Sequence, residues 1–375
     1  MRIHLIANMY PSKIAPNYGV FVKNTEEILV EAGFNVDKTV LLKEKNRLLK
    51  LVKYFFYFLK IILKGLTKKY DITYVHYASH NALPILFLKL FKKDLVIFTN
   101  VHGSDVVPEV PSQKKYQPYV EKLLDISNIV ITPSKYYRDL VRSKYNLRNR
   151  IEVFPSGGVN SKTFYKREDK QTALKELMLD IDTHYIGYVS RLDVGKGWDI
   201  LLTSLKKLRD ENFLLNNKIK VIIVGDGKDK ERFVKMVSDY ELNDVIIHYP
   251  LLAQEKLNAI YNAIDVFCFP TTRKGESLGL VGLEAMACGA PVIGSAIGGL
   301  LDYIIDGENG LLFQAGSSED LYKKIKFFYS MPENERRAMS CKAIFKANEY
   351  KVENIKDKLI NIFLSFRGGN LYEEG

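Results

Sequence analysis

Short apolar, β-branched runs alternate along this chain with longer segments whose apolar residues recur every three or four positions. The runs at 3–7, 36–41, 72–76, 95–99, 129–132 and 151–154 predict six strands. Helical periodicity fills 20–32, 48–66, 82–90, 118–125 and 135–145 between them. Residues 156–182 are polar and turn-rich, and then the rhythm restarts. Strands are predicted at 185–189, 220–224, 245–248, 266–269, 291–293 and 310–313, with helices beginning near Trp198, Asp229, Gln254, Leu280 and Glu319. Such alternation implies parallel sheets with helices on both faces. The expected fold class is α/β, with two doubly wound domains at 1–165 and 183–354 facing across a cleft. A C-terminal helix at about 355–375 is expected to pack back on the first domain.

A chain of 375 residues suits two domains, and 47% hydrophobic with 26% charged residues is a soluble globular composition. Cys268, Cys288 and Cys341 show no ligand spacing, which fits a reducing compartment. The N-terminus turns polar too soon for a signal peptide, and the longest apolar run, 51–63, is short and contains Lys53 and Lys60. The expectation is therefore a cytoplasmic protein. Charge sharpens the picture, because the net +11 is uneven. Residues 1–165 hold 26 basic and 13 acidic side chains, and 43–69 alone holds nine basic residues and one acid, Glu44. One half of the molecule is expected to face something anionic.

In open α/β sheets ligands sit beyond the carboxyl ends of the strands, so polar residues there are the candidates. The strand at 185–189 runs into "RLDVGKGWD", with Arg191 at its end and Lys196 between Gly195 and Gly197 where a helix opens. Two cations and the N–H groups of a helix N-terminus suit a diphosphate. The segment "GESLGLVGLEAMACGAPVI" at 275–293 carries two glutamates, Glu276 and Glu284, among apolar and small residues. A helix opening at about Leu278 would place Glu284 about six residues inside it, roughly 9 Å along the axis. The free N–H groups of Leu278, Gly279 and Leu280 would lie between the two carboxylates. That span matches a sugar, a diphosphate and a ribose. Gly279 and Gly282 weaken a helix but permit close approach.

These pieces, with "SRLDVGKG", "IVGDG", "VHGSD", "IGGLLDYIIDGENGLLF" and "YGVFVKN", occur in one order over about residues 1–321 and resemble the family-4 retaining glycosyltransferases of the GT-B fold. The resemblance implies two Rossmann-like domains, an N-terminal one for the acceptor and a C-terminal one for a nucleotide-sugar donor. It implies that Arg191 and Lys196 hold the donor diphosphate, that backbone amides from Leu278 through Gly279 to Leu280 contact phosphate and sugar, and that Glu276 binds sugar hydroxyls. Glu284 would bind the ribose, His102 would point to the reacting sugar, and Gly19 would let the first loop approach the phosphates. His102 and Glu276 are the catalytic candidates. The family needs no metal or other cofactor, and "DID" at 180–182 is read as chance. The chain departs from the family pattern at Tyr18, Pro250 and Asp302, which leaves the donor base open.

The expected function is transfer of a sugar, with anomeric configuration retained, to a hydroxyl of a lipid-linked saccharide during cell-surface polysaccharide synthesis. The basic, apolar stretch 43–69 is expected to dock on an anionic membrane surface, which makes the protein peripheral on the inner face of the cell membrane. The alternative for that stretch is packing in the first domain. A GT-B nucleotide-sugar epimerase or sugar phosphorylase shares the fold. A basic nucleic-acid-binding protein is the non-enzyme alternative, but no nucleic-acid motif is present.

Overall fold

The computed structural model describes residues 1–15, 18–44 and 46–366. The described chain forms two compact units, Val159–Val352 and Met1–Gly158 joined by the residues from Glu353 onward.

In the first unit the order is β1 (Arg2–Ala7), α1 (Val20–Glu31), β2 (Asn35–Val40), α2 (Arg47–Thr67), β3 (Ile72–His76), α3 (Ala78–Phe91), β4 (Ile97–Asn100), α4 (Pro111–Lys114), α5 (Gln117–Asp125), β5 (Ile129–Thr132), α6 (Lys135–Tyr145) and β6 (Arg150–Val153). All six strands are parallel, in the order β2-β1-β3-β4-β5-β6. β1, β3, β4 and β5 are buried on both faces, which is why they read as unbroken apolar runs.

The second unit contains α7 (Lys170–Glu176), β7 (His184–Val189), α8 (Trp198–Asp210), α9 (Phe213–Asn216), β8 (Ile219–Val224), α10 (Lys230–Asp239), β9 (Ile246–Tyr249), α11 (Gln254–Ala263), β10 (Val266–Phe269), α12 (Leu280–Ala287), β11 (Val292–Ser295), β12 (Gly310–Phe313), α13 (Ser318–Ser330) and α14 (Glu333–Asn348). A short 3₁₀ turn, Gly298–Asp302, joins β11 to β12. Its sheet is also parallel, in the order β12-β11-β10-β7-β8-β9, with a hydrophobic cluster on each face.

α15 (Val352–Leu364) belongs with the first unit, where Phe363 packs against Phe34, Tyr74 and Phe98 and the Arg150 guanidinium donates to Ser365 Oγ at 2.9 Å. The helix expected at about 355–375 thus ends at Leu364, and 367–375 lie outside the described residues.

The stretch 43–69, of which Lys45 lies outside the described residues, forms α2 and its flanks. Asn46 caps the helix by accepting from the Leu48 and Leu49 amides at 2.9 and 3.2 Å. Only Tyr57, Ile61 and Gly65 are buried, and Gly65 admits the Leu88 side chain of α3. Leu48, Leu51, Phe55 and Phe56 remain 60–75% exposed. One stripe packs on the unit, with Tyr54 and Phe58 partly buried beside it, while the face with Leu48, Leu51, Phe55 and Phe56 is outward. Three of its region's cations are matched locally: Lys53 by Glu44, and Lys64 and Lys68 by Asp37.

Candidate functional site

Each sheet reverses its winding at one place, and in the second unit this falls between β7 and β10. The turns leaving these two neighbours are pinned together. The Thr272 amide donates to Gly195 O at 2.9 Å, and the Thr271 hydroxyl reaches the same carbonyl at 3.3 Å. This brings Lys196, after β7, onto Glu276, after β10. The ammonium donates to Glu276 Oε2 at 2.8 Å, with side chains only 14% and 15% exposed. Thr271 Oγ1 lies 3.4 Å from the same oxygen. Both bonds fall on Oε2. Burial pushes the Glu276 carboxyl up, but Lys196, Arg273 and the Thr271 hydroxyl outweigh it and hold it below the ordinary glutamate range.

The backbone of Glu276 is held as firmly. Its N–H donates to Arg273 O at 2.9 Å, and its C=O accepts from Gly299 N at 3.0 Å. A Cβ on Gly298 would stand 2.3 Å from that carbonyl. The glycine pair therefore serves this internal contact.

Just beyond, α12 starts at Leu280, one of the two starts read from the sequence, and not at about Leu278, because Gly279 caps it in the left-handed region at φ 81°, ψ 55°. Its unpaired first-turn amides are thus those of Leu280 and Val281, with Leu278 and Gly279 in the preceding loop. Gly282 does not open space for a ligand, since a Cβ there would come within 2.4 Å of the Tyr303 hydroxyl. Glu284 is the fifth helical residue, about 6 Å along the axis from Leu280. It is partly buried, and Tyr261 donates to its Oε2 at 3.3 Å. Burial pushes this carboxyl up to about 7, with the tyrosine bond opposing.

Arg191 is engaged differently from Lys196. Its side chain is 61% exposed and pairs with Asp193 at 2.6 Å. Asp180, of the "DID" triplet, closes a turn by accepting from the Asp182 amide and the Thr183 hydroxyl.

The remaining two candidates belong to the first unit. Gly19 caps α1 at φ 77°, and a Cβ on it would lie 2.8 Å from the Met9 carbonyl carbon. Its bare backbone is used by a close approach within the unit. His102 stands beyond β4 with its amide on the buried Asp105 carboxylate at 3.0 Å and its ring against Phe21, centroids 4.3 Å apart. Its Nε2 lies 3.0 Å from His76 Nδ1. Burial pushes the His102 ring down to about 3 and holds His76 well below its ordinary value, so both are neutral near pH 7. His76 Nε2 is buried with no hydrogen-bond partner among the described residues. Of the two neutral rings, one donates this bond and the other accepts it. Nothing in the local sequence of His76 or of Tyr261 announces its partner.

Two doubly wound parallel sheets of this kind are the architecture of the GT-B glycosyltransferases. Two family profiles fit the chain, Glycosyltransferase Family 4 over residues 2–158 and Glycosyl transferases group 1 over 169–344, and the chain belongs to the family-4 glycosyltransferases. It is 27% identical over 266 residues to a D-inositol 3-phosphate glycosyltransferase of Corynebacterium aurimucosum, an alignment covering 67% of this chain and 61% of that protein. An uncharacterized glycosyltransferase of Methanocaldococcus jannaschii is 28% identical over 256 residues, 68% of this chain and 64% of its own length. The chain thus spans about three fifths of these relatives. Among solved structures, sucrose-phosphate synthase from Thermosynechococcus elongatus superposes with a TM-score of 0.81 at 19% identity, covering 99% of this chain and all of that one. The HepE protein of Anabaena in complex with UDP-glucose gives 0.76 at 16%, covering 97% and 100%. At these identities the likeness is one of fold.

Proposed function

We propose that this protein transfers a sugar from a nucleoside diphosphate donor to a saccharide hydroxyl with retention of configuration. The observation that carries this reading is the Lys196–Glu276 pair set beside the N-terminus of α12, with Glu284 inside the same helix. In this reading Glu276 Oε1 accepts from a donor-sugar hydroxyl and Glu284 accepts from the ribose diol. Lys196 and the first-turn amides of α12 stabilise the charge that gathers on the departing diphosphate. The bond from the anomeric carbon to the phosphate oxygen breaks, and the acceptor oxygen bonds to that carbon from the same face. The acceptor proton passes to the leaving phosphate. Arg191 would reach the diphosphate only by releasing Asp193. His102, held neutral by burial, is assigned to the reacting sugar. The complexes of HepE with UDP and UDP-glucose support a uridine donor as the first to try.

We assign the acceptor to a lipid-linked saccharide on the strength of α2. Its outward Leu48, Leu51, Phe55 and Phe56 stand among Arg47, Lys50 and Lys60, which suits the interface of an anionic membrane. Among the described residues no helix is long and apolar enough to cross a membrane. Incubation with radiolabelled UDP-glucose, GDP-mannose or UDP-N-acetylglucosamine and a bacterial lipid extract tests the reading. Label entering the lipid fraction supports it, label entering only soluble saccharide corrects the acceptor, and interconverted free nucleotide sugar marks an epimerase. In flotation with phosphatidylglycerol vesicles at low salt, the wild type is expected to bind and Phe55→Asp/Phe56→Asp to stay in solution. Equal behaviour of the two proteins removes the membrane assignment.

Glu284 makes nucleotide binding dependent on pH. A carboxylate accepts from two ribose hydroxyls, whereas the protonated form offers one of them a competing donor. With its proton leaving near pH 7, nucleoside diphosphate affinity is expected to weaken as pH falls from 8 to 6. The phosphate titrates in the same range, so the measurement is a difference: calorimetric affinity for UDP in the wild type against Glu284→Gln. The glutamine variant should bind more weakly at pH 8 and show a shallower pH slope. Parallel slopes would exclude the carboxylate from the ribose site.

A further inference from the structure

The second unit has a cavity at the other end of its sheet from Lys196 and Glu276. His184 opens β7, Asp265 precedes β10 and Gly289 precedes β11, all at the amino ends of parallel strands. Lys196 and Glu276 follow the carboxyl ends of β7 and β10, and β7 with its six residues is about 20 Å long. Between these amino ends, the segment 166–170 and α14 lies a cavity of about 760 Å³, a size that suits a small organic ligand.

Its charged groups fall into two sets. Asp265 is satisfied within the fold: one oxygen pairs with Lys170, and the other lies 3.2 Å from His184 Nδ1 and accepts from the Tyr185 amide at 2.8 Å. Glu333 is met by Arg337 at 3.6 Å. Arg336, Lys166 and Glu168 line the same cavity and make no ion pair among the described residues. Both cations are held in place by other means. The Arg336 guanidinium lies over the rings of Phe328 and Tyr329, 6.0 and 5.9 Å from their centroids. Lys166 runs across Gly289, at φ 89°, where a Cβ would stand 2.7 Å from its Cδ and 3.1 Å from its ammonium nitrogen. The Ser340 hydroxyl of α14 donates to Gly289 O at 2.6 Å, which ties this wall together.

Tyr329 adds an observation of a different kind. Its hydroxyl is buried with no hydrogen-bond partner among the described residues, and its ring meets that of His184 edge-on at 5.8 Å. Buried hydroxyls are almost always bonded, so bonding capacity stands unmet beside two unpaired cations. A guanidinium fixed by ring stacking and an ammonium laid on a glycine supply a planar fork and a point charge. That pair suits the several oxygens of a phosphate better than the two of a carboxylate. The acids at the walls, Glu168 above all, would repel a second phosphate. Glu168 can instead accept from hydroxyls, and Ile264, Phe328 and Ile344 offer apolar surface to a carbon skeleton.

We propose that this cavity binds the phosphate monoester of a small polyhydroxy compound, with Arg336 and Lys166 on the phosphate and Glu168 on a hydroxyl. The site is separate from the donor residues and stands whether or not the transferase reading holds. Its ligand joins α14 and the segment 166–170 to the starts of β7 and β10, the strands whose far ends lead to Lys196 and Glu276. Occupancy therefore stabilises the unit that carries the donor residues.

Calorimetry on the full chain tests the site, with glucose 6-phosphate, glycerol 3-phosphate and inorganic phosphate as probes, each with and without saturating UDP. At least one ester is expected to bind, about tenfold more tightly than inorganic phosphate, with an affinity that UDP leaves unchanged. Arg336→Ala and Lys166→Gln should each weaken it by about tenfold, the size of a lost charge-assisted contact. Melting temperatures of the variants without ligand report whether the fold is kept. Lys166→Gln decides the matter if Arg336→Ala is unstable, because Lys166 reaches in from an exposed segment. No ester bound at millimolar concentration, an ester bound no more tightly than inorganic phosphate, or an affinity that survives the substitutions overturns the proposal. So does displacement of the ester by UDP, which would put its phosphate among the donor residues.

Discussion

Replacing Glu276 by glutamine is expected to lower kcat/KM for sugar transfer by about 10²–10³-fold while UDP still binds. Glu276 stands at the β7–β10 switch point, where its Oε2 accepts from Lys196 at 2.8 Å, and Oε1 is the oxygen proposed to meet the donor sugar. Glutamine keeps the shape but loses the charge that a sugar hydroxyl meets. The diphosphate does not share this loss, because a freed Lys196 ammonium is available to it in full. Affinity for UDP is therefore expected to hold or rise, measured by calorimetry beside a turnover assay. Affinity and turnover falling together would end the division of labour between Glu276 and Glu284.

Lys196→Met has the opposite profile. It removes the cation expected on the leaving diphosphate and leaves Glu276 without its main partner in a place where both side chains are about 15% exposed. Breaking a buried pair from one side typically costs about 3–5 kcal/mol, much of it the stranded charge. The sign can be read from pH. In the wild type the Glu276 carboxyl lies below its ordinary range, so its contribution to stability is present above that range and is lost on acidification. In Lys196→Met burial acts without the main cation opposing it. The carboxyl moves up, and the variant loses stability as pH rises. Thermal melts of both proteins from pH 5 to 8 should therefore diverge with increasing pH. Lys196→Met/Glu276→Gln should recover most of the melting temperature but neither UDP binding nor transfer. A double variant no more stable than Lys196→Met would show that the pair does not carry the energetics assigned to it.

Strands such as Ile72–His76, Ile129–Thr132 and Val266–Phe269 were legible to the residue, because burial on both faces demands an unbroken β-branched run between turn signals. α14 was missed. It buries only Met339, Ala343 and Ala347 along 16 residues, so its apolar stripe is too thin to show as periodicity. α7 was hidden inside a polar stretch, where Asp169 caps it and Ala173 and Leu174 are its only buried side chains. Two starts were legible for α12, near Leu280 and about Leu278, because a left-handed glycine cap reads, in sequence, like any helical glycine, and the fold has Leu280.

The site divides in the same way. Sequence by itself determined the alternation that builds two parallel sheets, the turns at which polar residues leave them, and the spacing of Glu276, Glu284 and Lys196 along the chain. These follow from local chemistry and periodicity, which neighbours in sequence can express. Tertiary structure alone decided the partners. Lys196 and Glu276 are 80 residues apart, Tyr261 and Glu284 are 23, and His76 and His102 are 26. Strand order alone makes β7 adjoin β10 and β3 adjoin β4, so only the folded sheet sets one carboxylate against a cation and another against a phenol. Their proton affinities then part, one held down by a charge and the other raised by burial, although in sequence they are two glutamates on one short segment.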